Sequence, residues 1–300
     1  MSIDLIKSIL GNVQKFKSEI DFESTSENPT FEQIIMPKFI DIAIITATQD
    51  EFYSFSAHLL DLQRLEVLND SSIYFQGYIK KKEDLLSVVM HLPSDMGIAA
   101  AAITTTKCIT NFRPKYLFMV GIAAGIKAVT KVGDVIIAEK ALDYNEVIEI
   151  ETSDKGVRTK FMNDVVSIPK NLKSRMQLFL KTFDFDEFEN EILKKINRKL
   201  NYHFGVVVTG SSLVRNSEKI AQLIRDFHNL KGIDMETVGV YKAINSFDKN
   251  IQPDFLSIKS VSDYGDNDKD KEFDSPEDRR KLALFSSAIV LLEFIKSDFF

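Results

Sequence analysis

Apolar runs rich in β-branched residues alternate with helix-like segments along most of this 300-residue chain. The first strong run, Phe39–Ala47, is typical of a strand buried on both faces. Later runs in "KYLFMVGIAAGI", "HFGVVVTG" and "DFLSIKSVSDYG" repeat this character, and amphipathic or small-residue helical patterns lie between them. The alternation predicts an α/β fold with a mostly parallel or mixed sheet.

The N-terminal part differs from the rest of the chain. Residues 3–20 place apolar side chains at helical spacing, which predicts an amphipathic helix. A polar, proline-containing stretch over residues 21–33 predicts a linker. We therefore predict a helical extension and linker over residues 1–38 and one domain over residues 39–300.

Composition narrows the classes of protein to which the chain can belong. A formal net charge of −6 argues against broad binding to nucleic acid or to anionic membranes. The single cysteine excludes a disulfide framework within the chain, and the N-terminus lacks the layout of a signal peptide, so we expect a cytoplasmic protein. The four histidines show no metal-ligand spacing, and we expect neither a metal nor a cofactor.

Four unusual stretches follow predicted strands: "TATQDEF", "VGIAAGI", "DMET" and "SVSDYGD". In α/β sheets ligands collect at the carboxyl ends of strands, so these stretches can meet in one crevice. Each acid also has an ordinary interpretation: Glu51 as a solvated residue in the first turn of a helix, Glu236 as an acid at a helix start, and Asp263 as a turn residue. The role of Asp234, beside Glu236, stays open, and one interpretation is that it only caps the helix. Buried carboxylates are costly, so the acids either lie at a surface or line a pocket whose ligand pairs with them.

Five segments in order, "IITATQDE", "MGIAAAAITTT", "VGIAAGIKAVTKVGDVII", "IDMETVGVYKA" and "IKSVSDYGD", resemble the purine nucleoside phosphorylase/uridine phosphorylase superfamily. Within it the chain is most similar to methylthioadenosine/S-adenosylhomocysteine nucleosidases, over roughly residues 39–295. The resemblance implies a three-layer α/β/α fold around a twisted mixed sheet. It also implies a purine nucleosidase that hydrolyses the N-glycosidic bond of an adenine nucleoside. We expect a small purine nucleoside or nucleotide as partner, and a homo-oligomer of at least two subunits.

The resemblance assigns roles to four residues. Glu51 matches the glutamate that activates water, and Asp263 matches the aspartate that gives a proton to the leaving base. Glu236 matches the glutamate that binds the ribose hydroxyls, and Met235 matches the methionine that lies against the sugar. These roles fit the chemistry, because the sugar becomes oxocarbenium-like and the purine leaves poorly as an anion.

Five further residues are candidates for substrate binding: Ala123, Gly125, Leu213, Arg215 and Lys269. For Ala123 and Gly125 the alternative is that small residues allow close packing, and for Leu213 it is core packing. For Arg215 and Lys269 the alternative is an ordinary position on the surface.

Two departures from the family bear on the reaction and on the substrate. Met119 and Ile122 stand where phosphorylases of this type place an arginine and a serine for phosphate, which favours hydrolysis over phosphorolysis. "SDYGDNDKDKEF" resembles a stretch of nucleosidase domains in phage-defence effectors, and Arg215, Lys219 and Lys269 could face a triphosphate. An ATP or dATP nucleosidase effector is therefore one alternative. A nucleoside-sensing module without turnover is the other.

Overall fold

The computed structural model describes the chain apart from residues 1–31, 35–37, 154–155, 162–164, 189–190, 197, 212–216, 266–272 and 274. The predicted N-terminal helix therefore lies outside the described residues, and the predicted domain boundary after residue 38 stays a prediction. In the described part of the chain, no helix combines the length and the apolar character that crossing a bilayer requires.

The strands follow one another as β1 (Glu32–Ile34), β2 (Ile42–Ile45), β3 (Leu60–Val67), β4 (Asp70–Lys81), β5 (Asp84–His91), β6 (Tyr116–Gly125), β7 (Val135–Asp143), β8 (Val147–Ser153), β9 (Gly156–Phe161), β10 (Val166–Ser167), β11 (Tyr202–Thr209), β12 (Leu230–Asp234) and β13 (Asp254–Asp263). The helices are α1 (Gln49–Ser56), α2 (Ile98–Phe112), α3 (Lys170–Phe179), α4 (Glu191–Lys195), α5 (Ser217–Asp226), α6 (Thr237–Asn245) and α7 (Pro276–Lys296).

The predicted mixed sheet is confirmed, and part of it closes on itself. Neighbouring strands run in the order β1-β3-β4-β5-β2-β6-β12-β11-β7-β10, while β13 pairs with both β6 and β7. Because β13 joins the two, β6, β12, β11, β7 and β13 form a closed ring of five strands. Helices α2 and α6 pack against each other, and so do α1 and α7.

Local sequence explains the elements that frame the candidate site. All four side chains of β2 are buried, as its continuous apolar run predicts. Thr48 and Glu51 form a capping box at the start of α1, with each side chain bonded to the other's backbone N–H. Ser275 followed by Pro276 and two acids predicts the N-cap of α7, and the structure confirms it, because Ser275 accepts a hydrogen bond of 3.1 Å from the backbone of Asp278 and Pro276 is the first residue of the helix.

Two segments differ from the predictions. Residues Glu32–Ile34, inside the predicted linker, form a strand that pairs in parallel with β3. The charged sequence of residues 170–200 predicts a helix throughout, but α3 ends at Phe179 and the helix resumes only briefly in α4. Between the two helices, the rings of Phe183 and Phe185 pack against each other and against Tyr202. Tertiary burial of these aromatic rings therefore outweighs the local helical pattern.

Candidate active site

The predicted stretches meet at one edge of the sheet. Strands β2 and β13 both run parallel to β6, so their carboxyl ends lie on the same side. Strand β12 runs antiparallel to β6 and pairs with its last residues, which brings the "DMET" stretch to the same place. The topology thus assembles one crevice from segments that are far apart in sequence.

Glu51 is buried, with 3% of its surface exposed, and backbone N–H groups hold both of its carboxylate oxygens. Oε2 accepts from the backbone of Ala47 at 2.7 Å and of Thr48 at 3.0 Å. Oε1 accepts from the backbone of Ile122 at 2.8 Å. Glu51 does lie in the first turn of α1, but the alternative that it is solvated there is wrong, because its carboxylate is buried and held against β6.

Gly121 makes room for this carboxylate. A Cβ atom at position 121 would lie 2.1 Å from Oε1 of Glu51, well inside van der Waals contact. The glycine in "MVGIAAG" is therefore required by the close approach of Glu51 to the strand. Sequence reasoning did not single it out, because the partner of the glycine is 70 residues away in the chain.

Glu236 is buried where β12 passes into α6, and the start of α2 supports it. Its Oε1 accepts a hydrogen bond of 3.1 Å from the backbone of Gly97, which precedes α2 with a φ of +100°. Helices α2 and α6 come this close because Gly239 has no side chain, and a Cβ there would lie 2.3 Å from the carbonyl oxygen of Ile98. The close approach of these two helices beside the site therefore depends on the glycine at position 239.

Asp234, whose role the sequence left open, organises the start of α6. Its Oδ1 accepts from the Thr209 hydroxyl at 2.7 Å, and its Oδ2 accepts from the backbone of Thr237 at 3.1 Å and from the Thr237 hydroxyl. These bonds confirm that Asp234 stabilises the helix start. They also show that its carboxylate is largely engaged within the protein.

Lys259 is the principal residue of the site that sequence reasoning missed. Its side chain is completely buried, and its ammonium lies 3.6 Å from Oδ2 of Asp234 and 4.0 Å from Oε2 of Glu236. Burial lowers the pKa of Lys259, but the carboxylates of Glu51, Asp234 and Glu236 outweigh this and hold it above its usual value. A lysine inside a strand predicted to be buried was the available signal, because buried charges need partners.

Asp263, at the end of β13, is half-buried and oriented by two hydrogen bonds. Oδ2 accepts from the Ser262 hydroxyl at 2.8 Å, and Oδ1 accepts from the backbone of Gly265 at 2.8 Å. The register pairs Asp263 with Ala124 of β6, so the carboxyl group stands at the same sheet edge as Glu51. The turn-residue interpretation is also correct locally, since the bond to Gly265 forms the turn.

The other described candidates are small or half-buried. Met235 lies between Asp234 and Glu236 and is half-buried. Ala123 is buried, and its carbonyl oxygen accepts from the Ser262 hydroxyl at 3.4 Å. Gly125 is closely packed, because a Cβ there would lie 2.4 Å from the Thr130 hydroxyl oxygen. Close packing therefore explains Gly125, and a role in substrate binding stays a prediction for all three.

Leu213, Arg215 and Lys269 lie outside the described residues, so whether they line the site stays a prediction. Lys219, considered with them, lies over the ring of Tyr144 at 5.5 Å. Of the two residues that replace phosphate ligands, Met119 is buried and Ile122 is half-buried, and both present apolar side chains. Among the described residues, no group of three or more His, Cys, Asp or Glu side chains could hold a metal ion.

The ionisation of Glu236 predicts a pH-dependent stability. Burial raises the pKa of Glu236 from 4.5 to about 7, Lys259 and the Gly97 N–H oppose the rise, and Asp234 and Glu51 add to it. The folded protein thus binds this proton more tightly than the unfolded chain does. The stability from this group is complete below pH 4.5 and is lost as the pH rises through about 7.

We expect Glu236→Gln to become more stable relative to the wild type as the pH rises from 5 to 8, by on the order of 1–3 kcal/mol. Urea unfolding of both proteins at each pH measures this difference. Glu277→Gln, an exposed acid in the first turn of α7, is the control. If the difference in free energy of unfolding between Glu236→Gln and the wild type is the same at pH 5 and pH 8, the raised pKa of Glu236 is contradicted.

A family model described as the Phosphorylase superfamily matches residues 41–296. Among curated relatives, the 5'-methylthioadenosine/S-adenosylhomocysteine nucleosidase of Buchnera aphidicola subsp. Schizaphis graminum is 28% identical over 235 residues, which are 78% of this chain and 88% of the relative. The enzyme of the same name from Haemophilus influenzae strain PittEE is 27% identical over 232 residues, covering 77% of this chain and 89% of its own.

Solved structures show the same fold. The 5'-methylthioadenosine/S-adenosylhomocysteine nucleosidase of Neisseria meningitidis, in complex with methylthio-immucillin-A, matches with a TM-score of 0.64 at 20% identity, covering 86% of this chain and 99% of its own. The futalosine hydrolase of Helicobacter pylori matches with a TM-score of 0.64 at 15% identity, and the match covers 85% of this chain and 97% of the hydrolase chain. At these identities the structures bear on the fold alone.

Proposed function

Because the chain belongs to the Phosphorylase superfamily, we propose that it is a nucleosidase that hydrolyses the N-glycosidic bond of an adenine nucleoside. The substrate class we propose is that of the relatives named above, 5′-methylthioadenosine and S-adenosylhomocysteine.

The observation that carries the proposal is a cluster of buried carboxyl groups at the ligand-binding edge of the sheet. Glu51 and Glu236 are each at least nine-tenths buried, and both act on the same buried ammonium, that of Lys259. Burying two carboxylates with only one cation beside them costs free energy, unless a bound ligand forms hydrogen bonds or charge interactions with them. A sugar with several hydroxyl groups, whose carbon becomes cationic as the bond breaks, is such a ligand.

The three acids divide the chemistry. Glu236 accepts hydrogen bonds from the ribose hydroxyls. Glu51 takes a proton from the attacking water through Oε1, which accepts only one bond among the described residues and so retains a lone pair. Asp263 gives a proton to the purine ring nitrogen. The C–N bond breaks, a bond forms between the anomeric carbon and the water oxygen, and the products are adenine and the free sugar.

The electrostatics of the site favour water over phosphate as the nucleophile. Three carboxyl groups, those of Glu51, Asp234 and Glu236, surround the one ammonium of Lys259. A phosphate dianion would be repelled by this arrangement, and Met119 and Ile122 offer it no charge or hydrogen bond from their side chains. Water needs only an acceptor and a little space.

As part of the proposal, the protein is a cytoplasmic homo-oligomer of at least two subunits. Support for assembly comes from large apolar side chains that are exposed around the start of α2. Met96 is 61% exposed and Ile103 is 58% exposed, within eight residues of each other. Large exposed apolar side chains are one feature of surfaces that a partner covers, and these two make this part of the chain a candidate for such a surface.

A substrate panel tests the proposal. Purified protein in phosphate-free buffer is given 5′-methylthioadenosine, S-adenosylhomocysteine, adenosine or ATP, and free adenine is measured by chromatography. We expect adenine from the thioether nucleosides. Release from ATP alone would support the defence-effector alternative, and binding without release from any compound would support the sensing module. The Asp254→Asn variant, altered at the opposite end of β13, is the matched control and should behave like the wild type.

A further inference from the structure

The Lys259 ammonium has donors without acceptors. An ammonium group carries three N–H donors. Among the described residues, Nζ of Lys259 has no hydrogen-bond partner, although the side chain is completely buried. Its neighbours Asp234 and Glu236 lie at 3.6 and 4.0 Å, which is attraction between charges rather than hydrogen bonding. Leaving a buried charged donor unsatisfied is costly, so an acceptor from outside the chain is expected.

The oxygens around Lys259 show what is missing. Asp234 already accepts from Thr209 and Thr237, and Oε1 of Glu236 accepts from Gly97. Among the described residues, Oε2 of Glu236 accepts no hydrogen bond, and the Lys259 ammonium lies 4.0 Å from it. A donor without an acceptor thus faces an acceptor without a donor across a gap that is too long for a direct bond.

A hydroxyl group matches this gap. It accepts with its lone pairs and donates with its proton, so a single oxygen can accept from Lys259 and donate to Glu236. An anion would be repelled by the three carboxyl groups, and a cationic group has no free lone pair with which to accept from the ammonium. The complementary chemistry is therefore that of a neutral, hydroxyl-bearing ligand.

We propose that Lys259 binds a ribose hydroxyl together with Glu236 and so makes the site selective for ribose over deoxyribose. This inference rests on the proposed function for its ligand. It names a residue that determines specificity and that neither the motifs nor the resemblance pointed out.

The test combines substitution of Lys259 in the protein with removal of each ribose hydroxyl from the substrate. kcat/KM is measured for 5′-methylthioadenosine and for its 2′-deoxy and 3′-deoxy analogues, with the wild type and with Lys259→Met. We expect Lys259→Met to lose about ten- to a hundredfold on the ribonucleoside, as is typical for a hydrogen bond to a charged group. For the analogue that lacks the bonded hydroxyl, the loss should shrink to less than about threefold. An equal loss on all three nucleosides would overturn the proposal, because it would show that Lys259 does not act through a sugar hydroxyl.

Two further variants serve as an alternative to Lys259→Met and as its control. Lys259→Arg keeps the positive charge among the carboxyl groups, and it replaces Lys259→Met if that variant does not fold. Its longer, planar guanidinium presents its donors in a fixed fork rather than at the position of the ammonium, so we expect it too to lose most on the ribonucleoside. Lys173→Met removes a different lysine, which pairs with Glu139 away from the site, and should leave all three kcat/KM values unchanged.

Failure of the proposed function is distinguishable from failure of this inference. If the wild type releases no adenine from any of the three nucleosides, the proposed hydrolysis fails, and their affinities are then measured directly by calorimetry. The inference still requires that the wild type bind the ribonucleoside at least about tenfold more tightly than one deoxy analogue, and that Lys259→Met abolish this preference. Equal affinities in the wild type would overturn it.

Discussion

Replacing Asp263 with asparagine is expected to lower turnover on the order of a hundred- to ten-thousandfold, because an amide cannot deliver a proton to the departing purine. The fold should survive the change. The amide oxygen can accept from the backbone of Gly265, and the amide nitrogen can donate to the Ser262 hydroxyl, which accepts as readily as it donates. Affinity for the nucleoside should change far less than turnover, because binding depends on Glu236 and Lys259. Steady-state kinetics and calorimetric binding measure the two effects.

Asp254→Asn is the control for this experiment. Asp254 begins the same strand that Asp263 ends, and it accepts a hydrogen bond of 3.3 Å from Asn171. Its substitution should leave turnover unchanged. Near-normal turnover of a folded Asp263→Asn variant would remove Asp263 from the mechanism, and Asp266, which lies outside the described residues, would become the next candidate.

Replacing Glu51 with glutamine is expected to lower turnover by a similar factor, on the order of a hundred- to ten-thousandfold, because the amide cannot take a proton from water. This variant should also lose stability. Three backbone N–H groups point at two carboxylate oxygens, so one of them would face the amide N–H₂ and lose its acceptor. An unsatisfied buried donor costs about 1–3 kcal/mol, which urea unfolding can measure.

Gly121→Ala separates the position of the Glu51 carboxylate from its chemistry. The added methyl group would lie 2.1 Å from Oε1, so the carboxylate has to move although it remains present. Turnover should fall in this variant as well. Gly232→Ala is the matched control, because the closest atom to its new methyl group is the flexible end of the Ile136 side chain, at 2.9 Å, and the nearest backbone atom, the Ala124 carbonyl oxygen, lies at 3.4 Å. A folded Glu51→Gln protein with wild-type turnover would exclude Glu51 as the base.

The sequence was informative where local signals decide the structure. The apolar run of β2, the cap at Ser275 and the acids at strand ends follow from rules that operate over a few residues. The capping box at Thr48 and Glu51 is also local. It places Glu51 in the first turn of α1, as the local pattern indicates, whereas the burial of its carboxylate depends on contact with the distant strand β6.

Other features depended on contacts that no local pattern records. The function of Gly121 is set by Glu51, and that of Gly239 is set by the carbonyl of Ile98. The closed ring of five strands arises because β13 pairs on both sides, which its own sequence does not reveal. Lys259 was overlooked for a related reason. A lysine in an apolar strand is interpretable only once three carboxyl groups from other segments are known to face it.

The measurement that tests the central claim most directly follows the oxygen that ends on the sugar. 5′-Methylthioadenosine is incubated with the protein in ¹⁸O-labelled water, with and without phosphate, and the sugar product is analysed by mass spectrometry. We predict equal rates of adenine release in both buffers and one ¹⁸O atom at the anomeric position of the free sugar. Adenine release that requires phosphate, with a sugar 1-phosphate as the product, would contradict the hydrolytic reaction that we derive from Glu51, Glu236 and Asp263.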